Sequence, residues 1–353
     1  IRENRRLHAL RNIYCQCIIV PYTPMRVLIG YLVAIVIAII AIIARLLFGR
    51  KHAITGSAEV IPRGCAHTMR DDTIGADEMA ERAINVAFSR VLADDSRELK
   101  YCSDPARMRL QLHLGQRKLL LNEIEFLTLY GDLATDVLYV GAASGHHIRL
   151  LLRMFPKHRF TLYDPRDFAI KPGDRVTIRQ QWFTDDDAVE WTGREHLFIS
   201  DIRNATTYER GAADGDDEHD DEVANDMRMQ KSWVDICRPR MAMLKFRLSW
   251  KEAEQEYFDG EIRLQPWAPK TSTETRLITD GGSMRIWDTK KYERQMYRHN
   301  TVTRVAWYDV DPAIVSAVEG MDHCYDCRSE VEILTEWAKR AGKSHGPRDI
   351  VKY

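Results

Sequence analysis

From residue 78 onward, short apolar runs alternate with amphipathic segments, a pattern typical of α/β proteins. Apolar residues at helical spacing predict helices over 78–92, 118–130 and 222–237. The apolar runs predict strands at 137–140, 159–163, 176–179, 197–200, 241–246 and 275–279. Because strands and helices alternate, we expect an α/β fold with a mostly parallel sheet covered by helices on both faces.

An uncharged apolar run at 27–44 precedes this pattern, between Arg26 and Arg45. A helix rises about 1.5 Å per residue, so the run covers most of a roughly 30 Å hydrocarbon core, and extension to residue 48 completes it. A transmembrane helix at about 27–48 is favoured over a buried core helix, because no face of the run is polar. Arginines flank both ends, so charge does not set the orientation.

Changes in composition divide the chain into four parts. We predict an N-terminal segment at 1–50, a linker with a short amphipathic helix at 51–95, a catalytic domain at 96–345 and a tail at 346–353. The first residue is Ile1, which suggests excision from a longer precursor such as a viral polyprotein, with simple trimming as the alternative.

The overall charge is nearly balanced, with 51 basic and 52 acidic residues among 353. This excludes a global polycation, so any RNA contact must come from a local basic patch. The seven cysteines lack the spacing of a disulfide framework, which favours a reducing compartment for most of the chain.

Two local clusters resemble metal sites only in part. The acidic run at 214–222 lacks the ordered spacing of a calcium loop and is predicted to be a solvated loop. His323, Cys324 and Cys327 lie in a single CxxC phrase, with no second pair at a fitting distance for zinc. We therefore assign no metal from the sequence.

A glycine-rich loop lies in the phrase VLYVGAASGHHIR, between a predicted strand and the start of a helix. Such a loop lets backbone amides approach a ligand at a helix N-terminus. Asp164 ends the next predicted strand, 23 residues past Gly141, and suits hydrogen bonds to ribose hydroxyls. A nicotinamide-dependent enzyme is one interpretation of this loop.

Four charged residues favour another chemistry: Lys118 in GQRKLLLNE, Asp201 in LFISDIR, Lys245 in MAMLKFR and Glu274 in TSTETRLI. The last three lie at or near predicted strand ends. Their order is similar to the Lys–Asp–Lys–Glu tetrad of RNA 2′-O-methyltransferases, which a nicotinamide enzyme does not require. Ordinary surface ion pairs are the alternative interpretation.

Longer phrases extend the similarity. GQRKLLLNEIEFL, VLYVGAASGHHIR, ISDIR, LKFR, LQPWAPKTSTETRL and KKYERQMY together resemble the poxvirus-type cap-specific mRNA 2′-O-methyltransferases, which also serve as poly(A) polymerase regulatory subunits. The resemblance runs from Leu114 to about Asn300. It implies a Rossmann-like S-adenosylmethionine-dependent methyltransferase fold and methyl transfer to the first transcribed nucleotide of capped RNA. A ribosomal-RNA-type 2′-O-methyltransferase and a non-catalytic RNA-binding subunit are the alternatives.

The resemblance also assigns residues. The catalytic group is Lys118, Asp201, Lys245 and Glu274, with Lys245 as the base. A lysine base must first lose its proton, which burial and a nearby cation both favour. The residues implied for the cofactor S-adenosylmethionine are Gln116, Gly141, Ala142, Gly145, His147, Asp164, Arg166, Phe183 and Asp201.

A cap pocket is implied by the same resemblance, in which aromatic rings stack on methylated guanine and carboxylates bind its edge. The family has phenylalanine where this chain has Trp250, and Tyr101 is our candidate for the second ring. The residues implied for capped RNA are Tyr101, Arg203, Trp250, Glu252 and Glu293.

The predicted transmembrane helix implies a location for the chain. We expect a single-pass protein of a host intracellular membrane whose enzyme domain lies in the cytosol. Other viral replication proteins are candidate partners there.

Overall fold

The computed structural model describes residues 86–101, 115–202, 216–269, 272–318 and 321–343. The described helices are α1 (Gly115–Tyr130), α2 (Ile148–Met154), α3 (Asp185–Val189), α4 (Asp216–Cys237), α5 (Thr289–Arg298), α6 (Pro312–Ala317) and α7 (Tyr325–Arg340). The strands are β1 (Asp136–Val140), β2 (Arg159–Tyr163), β3 (Val176–Arg179), β4 (His196–Ser200), β5 (Met241–Phe246), β6 (Glu254–Phe258), β7 (Glu261–Arg263), β8 (Thr275–Thr279) and β9 (Met284–Asp288). A 3-10 turn at Gly131–Leu133 follows α1, and a π-helical turn at His299–Thr303 follows α5.

Seven strands form the main sheet in the order β3-β2-β1-β4-β5-β8-β7. The first five are parallel to one another, whereas β8 runs antiparallel to β5 and β7 antiparallel to β8. This confirms the predicted α/β class with a mostly parallel sheet. From β1, the chain adds β2 and β3 on one side and then returns to add β4 and β5 on the other side. The topological switch point of the sheet therefore lies between β1 and β4. Loops diverge at such a switch point and leave a crevice for ligands.

Alternate residues of the central strands pack into two separate cores. Val137 and Tyr139 of β1 join one core, and Leu138 and Val140 join the other. Helices α1, α2 and α7 cover the first face, and α4 and α5 cover the second. Burial of both faces explains why the central strands have continuous apolar runs rather than alternating ones.

The helix predicted over 78–92 is wrong for residues 86–92, which form no helix and make an isolated antiparallel bridge from Val91 to Arg263. The Leu92 N–H donates to the Ile262 oxygen at 2.9 Å, and the Leu264 N–H donates to the Arg90 oxygen at the same distance. These bonds satisfy backbone groups along β7, whose outer edge would otherwise lack partners. Residues 78–85 lie outside the described part.

The prediction of a transmembrane helix and of a single-pass membrane location needs correction. Within the part of the chain that the structure describes, no helix combines the length and apolar character needed to cross a membrane. The predicted span at 27–48 lies outside the described residues. The fold is therefore α/β without an assigned membrane helix.

The acidic run is also different from its predicted loop, because residues 216–222 form the first turns of α4. Carboxylates are favourable near a helix N-terminus, where the helix dipole is positive. Asp220 is buried there and accepts hydrogen bonds from the Ser249 hydroxyl and, at 3.1 Å, from the Lys251 N–H. This acidic residue therefore anchors the loop that follows β5.

Candidate active site

The loops after β1 and β4 touch at the switch point of the sheet. Gly141 follows β1 with a positive φ of 82°, and a Cβ there would lie 2.7 Å from the Asp201 carbonyl carbon. Asp201 follows β4, and its N–H donates to the Val140 oxygen at 2.9 Å. Only glycine allows this approach, which brings Asp201 beside the glycine loop.

The structure brings the four predicted catalytic residues together from four different elements. Lys118 in α1 binds Glu274, just before β8, with 2.7 Å between Nζ and Oε1. Lys245 in β5 lies 3.0 Å from Asp201 Oδ1 and 3.7 Å from Glu274 Oε2, measured from its Nζ. The two lysines thus share Glu274, and Lys245 also binds Asp201.

Arg276 completes the cluster and was missed in the sequence. Its Nη2 lies 2.7 Å from Asp201 Oδ1, and its side chain is 1% exposed. Arg276 is paired with Lys245 across the antiparallel β5–β8 ladder and lies two residues after Glu274, on the same strand face. An arginine within the apolar run of β8 was the available signal. Gln265 holds this arrangement, since it accepts from Arg276 Nε at 3.0 Å and donates to Glu274 Oε1 at 3.2 Å.

Opposing influences set the charge of Asp201. Burial raises the pKa of its carboxyl, but the nearby Lys245 and Arg276 cations lower it by more, to about 2. For Arg276, burial lowers the guanidinium pKa and the Asp201 and Glu274 carboxylates raise it by more. Asp201 is therefore an ionised acceptor at neutral pH and is suited to orienting an amine rather than to exchanging protons.

Asp164 lies at the end of β2, beside the glycine loop. Its carboxylate accepts from the Ala143 N–H at 3.1 Å, the Arg166 N–H at 2.9 Å and the Arg166 guanidinium at 2.8 Å. Burial raises the pKa of Asp164, and the hydrogen bonds from Arg166 and Ala143 lower it by more. Gly145 has a positive φ of 69°, which lets the loop turn into α2.

His147 connects the glycine loop to α1 rather than facing open space. Its Nε2 lies 2.8 Å from Glu123 Oε1, the same oxygen that accepts from the Tyr139 hydroxyl at 2.6 Å. Burial lowers the pKa of His147, and Glu123 raises it by more. Glu123 and Tyr139 were not singled out in the sequence, because a buried glutamate gives no distinctive pattern on a helix.

Two other predicted cofactor residues differ in their surroundings. Gln116 is exposed on the first turn of α1, whereas Phe183 is buried in the core. The Phe183 ring packs edge-on at 4.7 Å from Tyr163 and 5.1 Å from Trp233, between ring centroids. Its neighbour Trp182 is 63% exposed beyond the end of β3, so the free aromatic surface belongs to Trp182.

The predicted cap residues lie near α5. Trp250 is 40% exposed in the loop after β5, with the Arg247 guanidinium 5.5 Å from its ring centroid. That loop joins the start of α5, because the Thr289 N–H donates to the Ala253 oxygen at 3.0 Å. Glu252 is exposed in the same loop.

Two more cap candidates, Glu293 and Tyr101, lie on or against α5. Glu293 is half-buried on this helix, one turn before Tyr297. Tyr101 is exposed and packs edge-on against the Tyr297 ring, with 5.2 Å between centroids. Arg203 lies outside the described residues.

A match to the poly A polymerase regulatory subunit family covers residues 88–313. The chain belongs to this family. The match confirms the family resemblance of the motifs, and it includes all four tetrad residues and the glycine loop. The poly A polymerase regulatory subunit match gives no support to a membrane-anchored, polyprotein-derived version of the family. No curated protein matches the chain.

Solved structures show weaker similarity. Bluetongue virus VP4, described as a multifunctional RNA-capping production line, is 12% identical with a TM-score of 0.39, over 63% of this chain and 37% of that chain. The bifunctional kinase-methyltransferase WbdD is 15% identical with a TM-score of 0.22, over 38% of this chain and 29% of that one. The chain thus spans less than two fifths of the length of either protein, and such scores identify no activity.

Proposed function

We propose that this poly A polymerase regulatory subunit family member transfers a methyl group from S-adenosylmethionine to the ribose 2′-OH of the first transcribed nucleotide of capped RNA. The observation that carries the proposal is the meeting of Lys118, Asp201, Lys245 and Glu274 beside the glycine loop. Membership of a poly A polymerase regulatory family supports RNA as the partner.

The residues around the glycine loop fit S-adenosylmethionine, which supplies an electrophilic methyl group on a positively charged sulfur. Gly141 and Gly145 keep side chains out of the loop, where added Cβ atoms would meet backbone at 2.7 and 3.2 Å. Asp164 can accept hydrogen bonds from ribose hydroxyls in exchange for the exposed Arg166 side chain. The exposed ring of Trp182 at the same sheet edge suits stacking on adenine.

The tetrad handles the proton of the ribose hydroxyl. In its neutral form the Lys245 amine accepts this proton as the oxygen attacks, and the resulting ammonium is held by Asp201 and Glu274. Lys118 and Arg276 fix the two carboxylates from the other side. Holding the oxygen in line with the methyl group and its leaving sulfur supplies the rest of the rate increase.

Trp250, Tyr101, Glu252 and Glu293 are proposed to bind the cap. An aromatic face attracts a cationic methylated base, and carboxylates accept from the guanine N–H groups. The neighbouring Arg247 guanidinium lies over the Trp250 ring, so a stacked base would have to displace it from that face or use the other.

Methyl transfer from labelled donor to capped RNA tests the function, followed by digestion to locate the label. We expect label on the 2′-oxygen of the first nucleotide. RNA with a 2′-deoxy first nucleotide is the matched control and should remain unlabelled. Label on the cap base or on internal riboses would contradict the proposal, and internal label would instead support the ribosomal-RNA-type alternative.

A second candidate is a non-catalytic RNA-binding role, which the family's description as a regulatory subunit favours. The two candidates separate in a Lys245→Ala variant. A purely regulatory protein would never label RNA, with or without Lys245, and would bind RNA equally in both forms.

A further inference from the structure

A buried cluster of potential metal ligands lies at the start of α7, beyond the residues that match the family. A carboxylate oxygen of Asp322, Cys324 Sγ and Cys327 Sγ lie within 4.8 Å of one another. All three side chains are buried, and both cysteines are outside any disulfide. The CxxC phrase by itself indicated zinc only weakly, but the structure adds a third ligand that lies next to it.

A backbone N–H group points at each of the two sulfurs. The Asp322 N–H points at Cys327 Sγ and the Cys327 N–H at Cys324 Sγ, each at 3.3 Å. Cys324 is the N-cap of the 16-residue helix α7, so the positive end of the helix dipole faces the cluster. A bound metal ion itself deprotonates the thiols that coordinate it. His323 is turned elsewhere, with its Nδ1 3.0 Å from the Tyr308 oxygen.

We propose that Asp322, Cys324 and Cys327 bind one zinc ion. Thiolates select soft or borderline metals, and two thiolates with one carboxylate suit zinc. Tetrahedral zinc with Zn–S of about 2.3 Å and Zn–O of about 2.1 Å would place its ligand atoms roughly 3.5–3.8 Å apart. The observed limit of 4.8 Å therefore requires side-chain shifts of only about 1 Å, given those bond lengths. Binding releases both thiol protons to solvent and leaves a fourth coordination position for water.

A metal here would steady a helix that supports the candidate active site. Glu330 of α7 pairs with Arg117, the neighbour of Lys118 in α1, and accepts from Trp267 Nε1 at 2.9 Å. Asp326, in the first turn of α7, binds the buried Arg304 at 2.7 Å. The proposed role is structural, and it does not depend on the proposed methyl transfer.

The test measures metal content and cobalt spectra of the full chain, purified under reducing conditions, stripped by a chelator and reloaded with Zn²⁺ or Co²⁺. The variants are Cys324→Ser, Cys327→Ser and Asp322→Asn. Cys237→Ser is the matched control, because Cys237 is also a buried thiol but lies in α4, away from the cluster. We expect one metal per chain to be lost in both cluster cysteine variants and kept in the control. Cobalt should give thiolate charge-transfer bands and intense tetrahedral bands.

Asp322→Asn provides a second test of the site in case a cysteine variant does not fold. Loss of a residue that only hydrogen-bonds a metal ligand typically weakens metal binding by roughly 10- to 100-fold. Because Asp322 is proposed to be a ligand itself, Asp322→Asn should weaken zinc binding by at least that factor. Equal metal content in all variants would overturn the proposal, because the metal would then be bound elsewhere. A mass loss of two hydrogens that maps to Cys324 and Cys327, with no metal bound, would also overturn it and identify a redox-active dithiol.

Discussion

Asp201 receives two cations on one oxygen, Lys245 at 3.0 Å and Arg276 at 2.7 Å. The two cations differ in what they can do. Arg276 is fully buried and stays charged, so it can only position Asp201, whereas the Lys245 ammonium can give up a proton and become an amine that accepts one from a substrate hydroxyl. At the scale of single residues, this difference separates a positioning role for Arg276 from proton transfer by Lys245.

Replacement of Lys245 tests the proton-accepting role. Lys245→Ala should abolish methyl transfer while the affinity for S-adenosylmethionine persists, because Lys245 is proposed to act on the ribose and not on the donor. Calorimetry gives the donor affinity and label transfer gives the rate. Lys231→Ala removes a half-buried lysine that pairs with Asp235 on α4, and it should leave both the affinity and the rate unchanged. Substantial turnover by folded Lys245→Ala would remove Lys245 as the base.

Loss of Arg276 should destabilise the whole domain. Arg276→Met removes one of the two cations that bind Asp201 and a donor to Gln265, so the free energy of unfolding should fall by up to about 3–5 kcal/mol. The matched control is Arg285→Met, which removes a more exposed pair with Asp94 and should change stability by about 1 kcal/mol or less. Urea unfolding measures both. Equal effects would mean that the buried pair contributes no more than a surface pair.

The decrease in the free energy of unfolding at acid pH should depend on Asp201. Its pKa is lowered from 3.8 to about 2 in the folded chain, so its ion pairs contribute stability above about pH 4. This contribution is lost as the pH falls towards 2. The stability difference between the native chain and Asp201→Asn should therefore shrink between about pH 4 and pH 2. Urea unfolding at a series of fixed pH values measures this stability difference. A difference that stays constant across the range would contradict the prediction.

Among whole elements, the strands of the main sheet were predictable except β7, whereas the segment beside β7 and the two strands of the small sheet, β6 and β9, were not. β1 and β4 have continuous apolar runs because helices cover both faces, and the predicted bounds of these strands and of β8 agree with the structure to within one residue. The segment at 86–92 was mistaken for a helix, because its apolar spacing fits both periods and only pairing with β7 decides between them. Arg276 and Glu123 were missed because tertiary contacts alone make them part of the site.

Substitutions of glycine can distinguish a steric clash in the glycine loop from the backbone strain of a positive φ. Gly141→Ala should strongly reduce donor binding, because the Cβ would clash with the Asp201 backbone at 2.7 Å and push the two loops apart. Gly193→Ala is the matched control: Gly193 also has a positive φ, 76°, but nothing lies within 4 Å of its added Cβ. The control carries only the strain of about 1–2 kcal/mol and should bind donor normally. Equal donor affinities in both variants would show that the loop has another purpose.

At the scale of the whole molecule, the segment at 86–92 joins distant parts of the domain. The Arg90 guanidinium bonds Glu125 of α1 at 2.7 Å, the Leu264 oxygen at 2.6 Å and the Tyr325 hydroxyl of α7 at 3.2 Å. Arg90 is buried, and its partners come from three elements that are far apart in sequence. Their spacing in the sequence gave no sign of this connection, because it exists only after the sheet has formed.

A domain boundary at residue 96, as the sequence predicts, would remove Arg90 and expose the edge of β7. We expect a fragment that begins at 96 to be less stable than one that begins at 86, because Glu125 would lose Arg90 and keep the half-buried Arg263, at 3.1 Å, as a cationic partner. Thermal unfolding of the two fragments measures the difference. Arg90→Met in the full chain should reproduce much of it, with a loss of up to about 3–5 kcal/mol. Equal melting temperatures for both fragments would place the boundary at 96 and reduce residues 86–95 to a surface extension.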